Sequence, residues 1–227
     1  MNELLSVTFT VGTILGYPLS LIELIGIVTG ILSVLYAQRL SVLTWVIGLV
    51  NAAALFFVFH QVQLYSDMAL QLYFGVMSLY GWYRWRKGSI EYAPLTALTA
   101  TKQRWSFVAV ILLTTFLTLI VSEIHVLLPA LFPHQAAFPL QDAFTAAASV
   151  VATVHLARKE IETWILWIAV DVVSIPLYFA RGIPFMAALY TLFLLMAISG
   201  FRRWHRELRA PLEQGQKFAE GANEQPA

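Results

Sequence analysis

The chain has 227 residues, of which 59% are hydrophobic and 12% charged, with a mean hydropathy of +0.72 and a formal net charge of +1. Soluble domains carry about twice that share of charge, so the composition reads as a polytopic membrane protein and excludes a soluble domain on a single anchor. The absence of cysteine excludes disulfides, thiolate metal sites and cysteine nucleophiles.

Residues 1–18 hold no Lys or Arg and are broken by Gly12, Gly16 and Tyr17-Pro18. They read as an extracytoplasmic segment, irregular or a short interfacial helix, with no cleavable signal peptide. Pro18 suits the first turn of span 1, residues 19–38, which carries Gly26-x-x-x-Gly30 and Ser33 for close helix approach. Span 2 covers 42–60 with Trp45, Gly48 and Asn51. Span 3 covers 66–85 with Gln71, and ends in the aromatic and basic run Tyr80-Gly81-Trp82-Tyr83-Arg84-Trp85. A polar loop (86–104), the plain aliphatic span 4 (105–123) and a second loop (124–138) form a linker. Span 5 (139–157) opens at Pro139. Span 6 covers 161–179. Span 7 (184–204) opens at Pro184 and ends Gly200-Phe201-Arg202-Arg203-Trp204. Residues 205–227 are polar and read as a disordered cytoplasmic tail.

The expected fold is therefore all-α, with seven transmembrane helices. Of the 14 Lys and Arg residues, Arg181 alone falls on the side of the N-terminus and the loops after spans 2, 4 and 6. That bias puts the N-terminus outside and the C-terminus in the cytoplasm.

Adding 119 to the numbers of spans 1–3 superposes them on spans 5–7 without a gap. Arg39 then meets Arg158, Thr44-Trp45 meets Thr163-Trp164, Phe74 meets Phe193, Gly81 meets Gly200, Arg84-Trp85 meets Arg203-Trp204, and Glu23 meets Asp142. One intervening span leaves both copies with the same orientation, a 3+1+3 plan of parallel repeats (19–85 and 139–204) as in the SWEET sugar carriers. Such repeats bind substrate between the halves near the bilayer midplane. Glu23 and Asp142 read as first-turn residues favoured by the helix dipole.

Span 6 carries the functional signal. At about 100° per residue, Trp164, Trp167, Asp171, Ser174 and Tyr178 fall within roughly an 80° arc, opposite an aliphatic face of Ile165, Ile168, Ala169, Val172 and Val173. An ionisable residue inside a span marks a functional site, because lipid cannot solvate it. The plain alternative is that Asp171 only bonds a neighbouring helix while the indoles fill space. The halves differ where a ligand would be read: Gly48 meets Trp167, Gln71 meets Tyr190, and Asn51 lies one residue out of step with Asp171. A carboxylate with two indoles suits a flat cationic ring; the amides of Asn51 and Gln71 suit hydroxyl or carboxamide groups.

Lysines 87, 102, 159 and 217 lie outside the spans, which argues against a retinal protein, and no phosphate-binding Gly-x-x-x-x-Gly-Lys loop supports a primary pump. An intramembrane hydrolase would need a metal motif or an activated nucleophile, and His155 has no evident nucleophile partner in the sequence. A binding receptor that does not translocate its ligand would look much the same. No cofactor and no nucleic-acid partner is expected.

The stretches Ile22-Glu23-Leu24-Ile25-Gly26, Gly48-Leu49-Val50-Asn51, Gln63-Leu64-Tyr65 with Gln71, Tyr80-Gly81-Trp82-Tyr83-Arg84-Trp85, and Arg158-Lys159 with Trp164-x-x-Trp167 resemble the PnuC-type nicotinamide riboside transporter family over about residues 19–204. The resemblance implies a SWEET-like fold in the bacterial inner membrane, a homotrimer, and facilitated diffusion of nicotinamide riboside drawn inward by a cytoplasmic kinase. It implies Trp164, Trp167, Asp171, Asn51 and Gln71 around the ligand; some members have Asn in place of Asp171. Other members carry thiamine or riboflavin, so thiamine, also a cation, is the alternative cargo.

Overall fold

The computed structural model describes residues 5–62, 65–86, 95–130, 132 and 135–223. Gln63 and Leu64, residues 87–94 of the predicted polar loop, and residues 224–227 of the predicted tail lie outside these. Among the described residues seven helices follow one another: α1 (Leu21–Gln38), α2 (Leu43–Gln61), α3 (Tyr65–Arg86), α4 (Ala100–Leu127), α5 (Pro139–Ala157), α6 (Glu162–Ala180) and α7 (Pro184–Asn223). Five of them (α1, α2, α4, α6 and α7 over Pro184–Ala210) are long and apolar enough to cross a membrane. α1 packs on α2 and α2 on α3; α5, α6 and α7 pack in the same succession, with α4 against α5. The two groups meet where α3 touches α5 and where α1 touches α7.

Three expectations need correction. The N-terminal segment is neither irregular nor helical: Thr10–Ile14 (β1) and Tyr17–Ser20 (β2) pair as an antiparallel hairpin. Leu15 (φ 50°) and Gly16 (φ 79°) supply the two left-handed residues that a two-residue hairpin turn requires. Pro18 consequently lies in β2, and α1 begins two residues later than expected. The predicted tail is helical through Asn223, a continuation of α7. Its Glu, Gln, Lys, Arg and Ala content is as favourable to helix as it is polar, and Arg203 pairs with Glu207 one turn on at 3.3 Å. At the start of α4 the helix likewise takes in the last residues of the predicted polar loop.

Ser20 starts α1 with a reciprocal cap. The Glu23 N–H donates to Ser20 Oγ, while Glu23 Oε2 accepts from the Ser20 N–H at 2.9 Å and from Ser20 Oγ at 2.6 Å. Tyr17 adds its hydroxyl to Glu23 Oε1 at 2.6 Å and stacks its ring on Phe185 of α7 at 5.3 Å. Burial first, then the hydrogen bond and charge of Glu23, push the Tyr17 phenol up to about 12. The tie is thus fully present below the phenol's ordinary value of 10 and is lost as pH rises through about 12. Ser20→Ala is expected to cost about 1 kcal/mol, a fall of about 2–4 °C in Tm in detergent. An unchanged melting curve would remove the cap from the account.

The helices end in matched ways at the arginine-rich end. Leu40 (φ 52°) and Lys159 (φ 56°), 119 positions apart, each take the left-handed conformation just past the ends of α1 and α5. Around Leu40 the N–H groups of Leu40 and Ser41 return to the carbonyls of Ala37 and Tyr36; around Lys159 those of Lys159 and Glu160 return to Leu156 and His155. Both are the paired 5→2 and 6→1 bonds that close a helix C-terminus. The remaining carbonyls are taken by indoles from the other group. Trp204 Nε1 on α7 donates to Ala37 and Gln38 on α1 at 3.2 Å, and Trp85 Nε1 on α3 donates to Ala157 on α5 at 3.1 Å.

Behind each of those indoles stands another. Trp45 meets Trp85 edge-on at 5.5 Å, and Trp164 meets Trp204 edge-on at 5.4 Å. Trp45 and Trp164 lie flat over Gly81 and Gly200, so close that an added Cβ would fall 2.4 and 2.6 Å from ring atoms. Thr44 Oγ1 donates to the Ser33 carbonyl, and Thr163 Oγ1 to that of Ala152, both at 2.9 Å.

Candidate functional site

The polar arc of α6 faces inward. Asp171 and Ser174 are buried, with Asp171 only 3% exposed, while Ile165, Val172 and Phe179 on the opposite side are half or more exposed. Tyr178, two turns beyond Asp171, stacks on Tyr190 of α7 with ring centroids 5.1 Å apart and planes at 17°. Tyr190 lies within electrostatic reach of Asp171 and of Asp67 on α3. Phe193, one turn along α7 from Tyr190, meets it edge-on at 6.3 Å. The Phe193 ring then converges with the Asn51 amide over Gly30 of α1; a Cβ on Gly30 would lie 3.3 Å from Asn51 Nδ2 and 3.5 Å from Phe193 Cζ. A continuous polar and aromatic seam therefore runs from α2 across α1 and α7 to α6.

Several groups in the interior are unspent. Asp171 and Gln71, both more than nine-tenths buried, make no hydrogen bond or ion pair among the described residues. Removing a carboxylate from water without a partner costs several kcal/mol, which a fold retains only where something else offsets it. Asn51 is half spent: its Nδ2 donates to the Gly26 carbonyl at 2.6 Å and to Thr29 Oγ1 at 3.3 Å, and its Oδ1 makes no hydrogen bond among the described residues.

Trp164 does not belong to this seam. It sits two turns, about 10 Å, from Asp171 along α6. It is 2% exposed and wedged between Gly200 and Trp204, as Trp45 is between Gly81 and Trp85. Its contacts in the structure are packing contacts, and its buried Nε1 has no hydrogen-bond partner among the described residues. Trp167, one turn below Asp171 on the same face, is half-buried and packs against both Trp164 and the Val110, Ala148 and Val170 cluster. Its counterpart Gly48 lets two hydroxyls close in, with Ser78 and Ser33 Oγ at 3.3 and 3.4 Å from where a Cβ would stand.

Residues 20–206 match the family described as nicotinamide mononucleotide transporter. The chain belongs to that family. As members of a transporter family, its residues are to be read as a conduit and not as an enzyme. Similar curated proteins include the nicotinamide riboside transporter PnuC of Escherichia coli K12, 28% identical over 218 residues, covering 86% of this chain and 89% of that protein. The riboflavin/roseoflavin transporter RibM of Streptomyces davaonensis is 27% identical over 198 residues, covering 84% and 89%. A crystal structure of the vitamin B3 transporter PnuC shares the fold with a TM-score of 0.62 at 24% identity, over 82% of this chain and 80% of that one.

Against that membership, two features missed in the sequence stand out. Asp67, in the first turn of α3 and four residues before Gln71, faces Asp142 and Arg181 closely enough to feel both charges. Arg181 Nη2 donates to both carboxylate oxygens of Asp142, at 2.7 and 2.6 Å, so Asp142 does more than sit at a helix start. The acid in the first turn of a span was the available signal for Asp67.

His155 also has the partner that the sequence did not reveal. Ser106 Oγ lies 2.7 Å from its Nε2, and Glu160 Oε2 lies 2.5 Å from its Nδ1. The order Ser–His–Glu is that of a hydrolase, but Ser106 lies inside α4, where neighbouring N–H groups are spent on helical bonds and none is left for an oxyanion. The array ties α4 to the α5–α6 connection. Beside it, Glu162 Oε1 accepts from the Leu98 N–H and from Gln103 Nε2. Among the described residues no group of three or more His, Asp or Glu side chains is placed to hold a metal.

Proposed function

We propose that the chain is a carrier for nicotinamide riboside, working by facilitated diffusion across a bacterial inner membrane. One observation carries the reading. Asp171 is a buried carboxylate without a partner among the described residues, one turn above Trp167 and within reach of Tyr190. A pyridinium ring supplies the missing positive charge and a flat face for Trp167, while Gln71 and the free Oδ1 of Asn51 take the carboxamide and ribose hydroxyls. The Escherichia coli PnuC relative supports the same cargo, and the family match supports a nicotinamide compound. Thiamine is the second reading, since it too is a cation. The uncharged flavin named for RibM fits an unpaired carboxylate less well.

The same proposal takes all seven helices as spans, with the hairpin end outside and the arginine-rich end in the cytoplasm. It takes α1–α3 and α5–α7 as parallel SWEET-like repeats. The recurrence of the Trp–Gly, Trp–Trp, Thr–carbonyl and left-handed C-terminal contacts at positions 119 apart supports that reading. Rocking of one repeat on the other would expose Asp171 to each side in turn. A homotrimer, and a cytoplasmic kinase that traps the vitamin as its phosphate, complete the scheme. With the mid-span carboxylate Asp171 already committed to the cargo, transport runs without a coupling ion.

The test is a titration of the purified protein with nicotinamide riboside, thiamine and riboflavin, reading tryptophan fluorescence. Quenching by nicotinamide riboside alone is the expected result. Quenching by thiamine alone moves the cargo to the second reading. In proteoliposomes, uptake that follows an imposed proton or sodium gradient at fixed vitamin would remove the claim of uncoupled transport.

A further inference from the structure

The mouth of the seam is already occupied by a positive charge that belongs to the protein. Arg181 caps α6 at the hairpin end, beside Gly182, whose φ of 73° turns the chain there. Its Nη2 lies on both oxygens of Asp142, and its guanidinium carbon stands 5.6 Å from the Phe138 ring centroid and 5.8 Å from that of Tyr178. Tyr178 in turn stacks on Tyr190 of α7. A carboxylate with an aromatic face is the chemistry that binds organic cations.

The geometry points to an outer cation subsite made of Asp142 and the Tyr178 ring, which Arg181 fills when no substrate is present and vacates for a pyridinium-type cation bound for Asp171. This rests on the reading of the chain as a carrier of cations. The exchange is feasible because the pair is open to water: the side chains of Arg181 and Asp142 are 29% and 32% exposed. An incoming cation replaces a cation of equal charge, so Asp142 never stands alone. Arg181 thereby acts as a tethered competitor that discriminates against anionic and neutral compounds at the mouth.

An exchanging pair and a purely structural pair respond differently to truncation. A structural tie is lost whichever end is removed, so both variants shift the same way. In an exchange, removing the competitor and removing the site have opposite effects. Arg181→Gln is therefore expected to lower the Kd for N-methylnicotinamide, and the KM for nicotinamide riboside uptake, by about three- to tenfold, while Asp142→Asn raises both by a similar factor. Arg181→Lys should stay close to wild type, and riboflavin binding should not respond. Both constants are measured on the full-length protein, the first by fluorescence in detergent and the second in proteoliposomes; the Arg181→Gln/Asp142→Asn double variant, in which neither charge is stranded, provides the check on folding. Opposite shifts with N-methylnicotinamide but no vitamin uptake would keep the subsite and discard nicotinamide riboside as cargo. Vitamin uptake with both single variants shifted in one direction, or with neither shifted, would discard the subsite and keep the cargo.

Discussion

Asp171→Ala is expected to abolish binding of nicotinamide riboside, with Kd rising at least about a hundredfold, while the ligand-free protein melts no lower than wild type. The two halves of that result have one cause. A charge-assisted contact with a buried carboxylate contributes about 3 kcal/mol or more once its partner is in place. Without the partner, the same carboxylate is a cost to the fold. Asp171→Leu, which replaces it with apolar volume, should raise the Tm of the empty protein while leaving binding abolished. Trp167→Ala should weaken binding by a smaller factor, about tenfold, through loss of one ring face. Wild-type affinity in Asp171→Ala would remove the residue from the site. A fall in stability matching the loss of affinity would mean that Asp171 holds helices together instead.

Gly200→Ala and Gly81→Ala are expected to have the largest effects on folding. A methyl group at either position lands 2.6 or 2.4 Å from the fused rings of Trp164 or Trp45. Neither ring can retreat, since each is 2–3% exposed and backed by a second indole. Overpacking of this kind costs about 1–3 kcal/mol where neighbours can shift and more where they cannot. The measured outcome should be a drop in Tm of about 5 °C or more, or loss of the folded peak in size-exclusion chromatography. Gly12→Ala, where a Cβ meets nothing within 4 Å, is the matched control and should be neutral. Equal tolerance at positions 12, 81 and 200 would contradict the packing described.

The helices and the inward face of α6 were legible because hydropathy and a 3.6-residue period report directly on lipid and interior. Asp171 is buried while Ile165 and Val172 are exposed, as the arc requires. The identity of the ligand-facing aromatics was only partly legible. A tryptophan on a polar face packs as readily on a glycine as on a vitamin, and Trp164 does the former. The offset of 119 held the distinction: Trp164 and Gly200 recur as Trp45 and Gly81, which marks scaffold common to both groups, whereas Trp167 against Gly48 and Tyr190 against Gln71 do not recur. Ser106 and His155 could not be paired from the sequence because 49 positions separate them and helix packing alone joins them. The helical extension of α7 was hidden by composition, since charge and amide content describe solvation equally well in a coil and in an exposed helix.

The crossed indoles also set an order of events during synthesis. Trp85 is made 72 residues before the Ala157 carbonyl it will cap, so that donor waits for its acceptor. In the other crossing the acceptor waits: Gln38 precedes Trp204 by 166 residues. At translation speeds of about 5–20 residues per second that delay is on the order of ten to thirty seconds. Through that interval the end of α1 has only its own turn to close it. The C-terminal carbonyls of α1 are thus the last to be capped, although α2 holds the helix earlier, and a nascent chain stalled before residue 204 lacks that clasp.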